Sequence, residues 1–508
     1  MWRLILGLLL LCVPSLAAAT VFTVKPSGGD FTTFQACATA ATAGDVCDGY
    51  TGSYAGWTQG TSGTSGHPIT FQAHPGETVT ITSGTITLDG RTYITIQNLS
   101  DIRVPIHADG TTAYCLIQGN HFTTVLAFYN VDGVGVNAHD NVFRGNTVNM
   151  NTYQTADTSF AVRLYGNNNL FENNEIYNGS GDAFELGGQY VVVRGNYFHD
   201  SDGTVSGEHI DFMQVIGGTT PALSFSLIEN NVAKNLVNQA HFTQIRASGG
   251  DIADTIITRF NFTYHLDSDF SGYGDHHDGT NTVPNGSVYH NTANRTTTGA
   301  ENGLCVGFDS SGGTAWAYNN ICYNLVTGGF SPTIYTQGGT GNGNLAFTTG
   351  YAGSWNAPYS SEATYAALRN QDPLFANYPT EATLQAGSPA KGAGVALTTV
   401  AGGDAGTGTS LVLTNARVFQ PGWAGTHGDT IRVGASTVAS ITAIDYSTNT
   451  ATLASGISRS PGDPVYLYAD SGGRRVLFNA LPDVGAAQCC PPPGLSGAAT
   501  LSGKVGMQ

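Results

Sequence analysis

The chain has 508 residues, with 19 Lys and Arg against 36 Asp and Glu, for a formal charge of -17. So few basic residues exclude a nucleic-acid binder, which needs clustered cations against phosphates. An acidic surface also repels acidic polymers at long range, so a polymeric partner is either neutral or met through a bound cation such as calcium.

In chain order, Arg3, the apolar run 4–13 and Ala17-Ala18-Ala19 form a secretory signal, residues 1–19, with cleavage before Thr20. The run is short for a membrane span, and Cys12 follows leucines rather than the small residues of a lipid anchor. The expectation is a secreted or periplasmic monomer that does not insert into membranes. Beyond the signal, Cys37 and Cys47 flank a short helix expected at about 31–43, and Cys305 and Cys322 form a second candidate pair. Cys115 and the adjacent Cys489 and Cys490 are left over. Pairing is not readable from spacing alone, and no paired CxxC suggests zinc.

From residue 98 an Asn-punctuated phrase recurs: IQNLS, IQGNHF, FRGNTV, ENNEIY, VRGNYF, IENNVA, TRFNFT, YHNTAN and YNNICY. Its asparagines are Asn98, Asn120, Asn146, Asn174, Asn196, Asn231, Asn261, Asn291 and Asn320, at intervals of 22 to 35 residues. Periods of that size indicate a solenoid. The unit is a short β-branched run, such as Val191-Val192-Val193 or Ile256-Ile257, bounded by Asn and Gly, which reads as a strand with tight corners. The asparagines are expected to form an internal amide ladder that satisfies corner backbone groups, with no catalytic role.

Together with this repeat, Asp30-Phe31-Thr32-Thr33-Phe34-Gln35 and the small-residue run to Gly44-Asp45-Val46 look like a capping helix and first strand. Asp372-Pro373-Leu374-Phe375, Gly387-Ser388-Pro389-Ala390 and Pro482-Asp483-Val484-Gly485-Ala486 look like a closing motif. The chain thereby resembles right-handed parallel β-helix proteins of the pectin-lyase-like superfamily. The resemblance implies an all-β, single-stranded solenoid over 20–394 whose closing motif returns at 481–488. It also implies action on polysaccharides; lyases of this fold commonly use Lys or Arg as base, often with calcium.

Residues 395–480 interrupt that ending with short alternating strands around Ile431, Ile441, Leu453 and Leu467, which suggests an inserted small barrel or sandwich. It serves either as a cap over the open edge of the last turn or as an accessory glycan binder. Residues 489–508 read as a flexible tail.

The candidate chemistry is a lattice with one internal spacing: His209, Asp211, Gln214; Gln239, His241, Gln244; His276, Asp278, Asn281. One turn earlier, Asp182 and Glu185 take the second and third positions. The third column then reads Arg163, Glu185, Gln214, Gln244, Asn281, and alternation with Val162, Leu164, Phe184 and Leu186 turns it to the outer face. Arg163, His209, Gln214, Gln244 and Asn281 are the candidate substrate contacts. Glu185 and Asp211 on adjacent turns, about 4.8 Å apart, would not both ionise freely, as acid–base hydrolysis of a glycoside requires.

A lyase instead needs a base beside a uronate carboxylate and a cation to neutralise it, for which His241 or Arg246 are the candidates. Asp211 and Asp278 would position substrate or calcium, and Asp211, Asp275 and Asp278 are the candidate metal ligands. Tyr165 and Phe212 lie near enough to stack on sugars or to pack. Three readings stand: elimination of a uronate polymer, glycoside hydrolysis by the carboxylate pair, and a non-catalytic glycan-binding or structural β-helix.

Overall fold

A computed structural model describes residues 19–124, 126–130, 138–150, 160–201, 210–216, 223–236, 242–246, 254–266, 273–275, 285–294, 304–308, 314–323, 333–336, 340–347, 371–377 and 382–487. Within these, 215–216, 243–246, 265–266, 273–275, 304–308, 314–315 and 333–336 are described by backbone alone.

Strands of successive turns stack in parallel into long sheets. The first sheet has 13 strands, from Val21–Val24 to Thr340–Asn342, and the second has 12, from Gly52–Ala55 to Leu345–Phe347. A third sheet of 7 strands runs from Ile86–Thr87 to Thr243–Arg246, followed by a 3-stranded sheet of Tyr273–Asp275, Leu304–Phe308 and Thr333–Thr336. This is the parallel β-helix that the repeat and the resemblance led us to expect. The helix at its start covers Phe34–Ala40, inside the expected 31–43. Thr33 caps it, its hydroxyl accepting from the Ala36 amide at 3.1 Å. The Cys37–Cys47 disulfide ties the helix to the first-sheet strand Val46–Gly49. Cys322 is disulfide-bonded too, and the side chain of Cys305, its expected partner, lies outside the described residues.

The asparagines form the expected ladder at the corner between the first and second sheets. Each side-chain oxygen accepts from the backbone and side-chain amides of the asparagine one turn earlier, as in Asn146 to Asn174 at 3.0 and 3.2 Å. The ladder runs from Asn120 to Asn344. Asn98 is not a rung: Leu99 stands in that position, donating its amide to Asn120. Asn98 instead occupies the corner before it, with φ of 56°, in a column with Gly119, Gly145 and Asn173. A left-handed backbone there selects Gly and Asn.

The inserted module forms one antiparallel six-stranded sheet, in the order 398–399, 464–469, 430–433, 437–445, 450–459 and 406–412. A bridge between Val400 and Leu413 joins the first of these to the last. The module does not simply cap the end of the solenoid; it docks on the lateral face of the first sheet. Leu170, Val192, Leu227 and Ile257 form one column over four successive turns, and they share a core with Leu397, Leu411, Phe419, Ile431 and Leu467 of the module. Strands buried on both faces read as unbroken apolar runs, which explains Val191-Val192-Val193 and Ile256-Ile257.

Beside that column runs a polar one: Asp48, Gln72, Gln97, Gln118, Arg144, Glu172, Arg194, Glu229, Arg259, Tyr289. Neighbouring glutamines bond at 2.7 Å. Higher up, Arg194 pairs with Glu172 and Arg259 with Glu229, each through a 2.8 Å bond. The closing segments cover the second sheet instead, where Phe375, Leu384, Ala390, Val484 and Ala486 pack on Val232, Phe262, Ile321 and Leu345. Neither cover shares its core with the outer column of the third sheet.

Candidate active site on the third sheet

Register places Thr87, His107, Tyr129, Arg163, Glu185, Gln214 and Gln244 in one column across the seven strands. Arg163, Glu185, Gln214 and Gln244 therefore stack in the order expected. Val162, Leu164, Phe184, Leu186 and Met213 on either side belong to the solenoid core, so the polar column takes the opposite face.

That face is not the open ladder of the sequence reading. The Glu185 side chain is 0% exposed and Gln214 is buried, whereas Arg163 reaches solvent, at 26%. A buried carboxylate is tolerable only when paired and hydrogen-bonded. Glu185 Oε1 lies 3.1 Å from Arg163 Nε and accepts from the Tyr165 hydroxyl. Tyr165 is buried and its backbone is clamped by Asn130, whose side chain accepts from the Tyr165 amide at 2.9 Å and donates to its carbonyl at 2.8 Å. The Arg163 guanidinium also lies 5.6 Å from the Phe160 ring and 5.5 Å from the Tyr165 ring, a favourable setting for a cation. The result is an arginine held in place, with its support underneath and its tip at the surface.

Just past these strands, Gly188 has φ of 110°, and a Cβ there would run into the Gly166 carbonyl of the preceding turn. The turns approach so closely that only glycine fits.

Asp211 does not stack on Glu185. Phe184 pairs with Met213 and Glu185 with Gln214, which leaves Asp211 in line with Asp182, about 10 Å along the strand direction from the Glu185 row. The Asp211 amide donates to Asp182 Oδ1 at 2.7 Å, and both side chains are buried. Asp182 and Asp211 share the second column of the lattice, as the spacing has it, and the expected pairing of Asp211 with Glu185 is corrected. The reason is a break in alternation. Ala183 with Phe184, and Phe212 with Met213, all enter the core as consecutive pairs, so the polar positions fall before and after each pair.

His209, His241, Asp278 and Asn281 lie outside the described residues. Backbone pairing sets Gln244 beside Gln214, Arg246 beside Ile216, and Asp275 beside Phe308. Calcium takes about six to eight oxygen ligands. Among the described residues no group of three or more His, Cys, Asp or Glu side chains is arranged to hold a metal ion, and Asp182 and Asp211 alone do not make such a site.

Four residues of the neighbourhood escaped the sequence reading: His107, Tyr129, Asn130 and Tyr165 in its supporting role. His107 sits between two carboxylates, Nδ1 2.9 Å from Asp89 and Nε2 3.2 Å from Asp109, with Tyr129 against its ring at 4.7 Å. The spacing of His107 and Asp109 matches that of His209 and Asp211, but register sets His107 in the row of Gln214 instead, so the match would have misplaced it.

Neither a protein-family model nor a curated protein matches the chain. Among solved structures, it is similar to the pectate lyase Pel9A at 15% identity and a TM-score of 0.43, covering 75% of this chain and 93% of that one. It is similar to an alginate lyase from Paenibacillus sp. str. FPU-7 at 15% identity and a TM-score of 0.33, covering 64% and 93%. It is also similar to XylC, solved in complex with xylose, at 11% identity and a TM-score of 0.41, covering 92% and 98%.

Proposed function

We propose that the chain is a secreted or periplasmic carbohydrate-active enzyme that holds a polysaccharide along the third sheet and cleaves a uronate polymer by β-elimination. In that reaction a base removes the proton beside the uronate carboxylate, the electron pair forms a ring double bond, and the glycosidic oxygen leaves with the neighbouring chain. The carboxylate must be neutralised as charge builds on it.

Arg163 carries this reading. It is a cation at the surface of the one sheet whose outer column the two covers leave aside, and Glu185 and Tyr165 hold it from below. A positioned guanidinium suits a carboxylate through charge-assisted hydrogen bonds. His241 or Arg246, from the turn beyond Gln214, is the proposed base or second neutraliser. Gln214, Gln244, His209 and Asn281 are the proposed contacts to sugar hydroxyls, and Asp211 with Asp275 and Asp278 the proposed ligands for any calcium.

Hydrolysis by Glu185 and Asp211 is less well supported. Glu185 is enclosed and committed to Arg163, and the two carboxylates stand in different columns.

The test is a digest of uronate and neutral polysaccharides by the purified chain, with calcium or with chelator, following ultraviolet absorbance and reducing ends together. Elimination raises both on a uronate polymer. Reducing ends without absorbance would mean hydrolysis, and saturable binding without new ends would mean a glycan-binding β-helix.

A further inference from the structure

The junction between solenoid and module is tightly packed around Arg259 and Asp429, but it opens into a cleft of about 500 Å³ near the end of the first sheet. That lies within the roughly 300–1,000 Å³ of small-molecule sites. One wall is a four-residue patch of the sheet. Trp316 and Tyr318 are two apart on one strand, with Ala317 between them in the core, so both rings face outward. Thr340 pairs with Trp316, and Asn342 with Tyr318, on the next strand. The wall is thus a row of two aromatic rings beside a row of short hydrogen-bonding groups.

The facing wall comes from the module, with Thr414 and Asn415. Asn415 lines this wall beside the exposed Thr414. Among the described lining residues Arg417 is the one that carries a charge, and its guanidinium is engaged by Asp254 at 2.8 Å.

We propose that this cleft is a second glycan site, specific for neutral pyranose units and separate from the third sheet. A pyranose has an apolar C–H face and a rim of hydroxyls. The face suits Trp316 and Tyr318, and the rim suits Thr and Asn groups that donate and accept. Arg417 is committed to Asp254 and the described lining adds no further cation to select a uronate. The site exists only because the module docks on the flank of the solenoid, which gives the insertion a role in holding substrate or a neighbouring wall polymer.

The test is titration of the full chain with xylo-, cello- and galacto-oligosaccharides and with oligogalacturonate, read by calorimetry and tryptophan fluorescence. Saturable binding of a neutral oligosaccharide is expected, weakened about tenfold or more, or about 1.4 kcal/mol, in Trp316→Ala. Thr414→Arg blocks the cleft from an exposed position and is expected to do the same, which keeps the test valid should Trp316→Ala misfold. Arg163→Ala is expected to leave this binding intact, so failure of the lyase reading would not affect it. Absence of binding across the panel overturns the proposal, as does binding that survives both cleft variants or that is confined to oligogalacturonate.

Discussion

Arg259 and Asp429 face each other through two 2.7 Å hydrogen bonds, and neither side chain is exposed. One belongs to the first sheet of the solenoid and the other to the inserted module. Arg259 also donates to Glu229 and to the Tyr289 hydroxyl, and burial pushes the Glu229 carboxyl above its ordinary value despite that arginine.

Removing one partner strands the other charge in a dry junction. Asp429→Ala is expected to destabilise the chain by about 3–5 kcal/mol, measured by denaturant unfolding. Replacing Arg259 as well is not expected to restore stability, because it leaves the buried Glu229 carboxyl without its arginine. A loss within about 0.5 kcal/mol for the single variant, the range of ordinary surface substitutions, would show that the module is not locked by this pair.

His290 is buried against Phe260, ring to ring at 5.2 Å, and burial pushes it down to about 3. The unfolded chain takes up that proton near 6.5, so the folded state is favoured fully above about 6.5. Stability then falls as pH drops towards 3, by on the order of 4 kcal/mol over the whole window. Melting temperature against pH should therefore be shallower in His290→Asn, which keeps a residue suited to the φ of 56° at that corner. Parallel curves for the two proteins would assign the acid sensitivity elsewhere.

Arg163→Ala is expected to lower kcat/KM on a uronate polymer by about 100-fold or more, the scale of a lost transition-state donor, with Arg163→Lys intermediate. Glu185→Gln removes the charge that fixes the guanidinium and is expected to lower activity less, without moving the pH optimum. A pH profile that loses one limb in Glu185→Gln would instead make Glu185 an acid or base and revive hydrolysis.

Asn174 donates to the Phe143 carbonyl at 2.9 Å and accepts from the Asn146 backbone amide at 3.0 Å, both buried. Asn174→Ala orphans both groups and is expected to cost about 2–5 kcal/mol. Asn98→Gly, off the ladder at a corner that glycine also fits, is expected to change little. Equal melting temperatures for the two variants would contradict the ladder's role.

The amide ladder and the stacking order of Arg163, Glu185, Gln214 and Gln244 were legible because identical spacings recur turn after turn. Asp211 falls in the column of Asp182, as the recurring spacing has it, but not beside Glu185, because Phe212 and Met213 both turn inward and separate the two rows. The alternating Arg144, Glu172, Arg194, Glu229 and Arg259 column was missed because its members sit 22 to 35 residues apart in sequence, each isolated in an apolar stretch. The docking of the module was hidden for a different reason. An apolar run such as Val191-Val192-Val193 announces burial on both faces but not what covers the second one.

The corner that carries the asparagines is the same length in every turn, yet successive ladder asparagines are separated by as few as 22 and as many as 35 residues. All of the variation must fall elsewhere in the turn, and between Asn196 and Asn231 much of it falls around the strand Met213–Ile216 of the third sheet. The scaffold therefore separates positions where chain length is fixed from positions where it is free. A residue inserted at the clamped corner would throw two sheets out of step, whereas the lengths spent beside the third sheet differ from turn to turn with the coil unaltered.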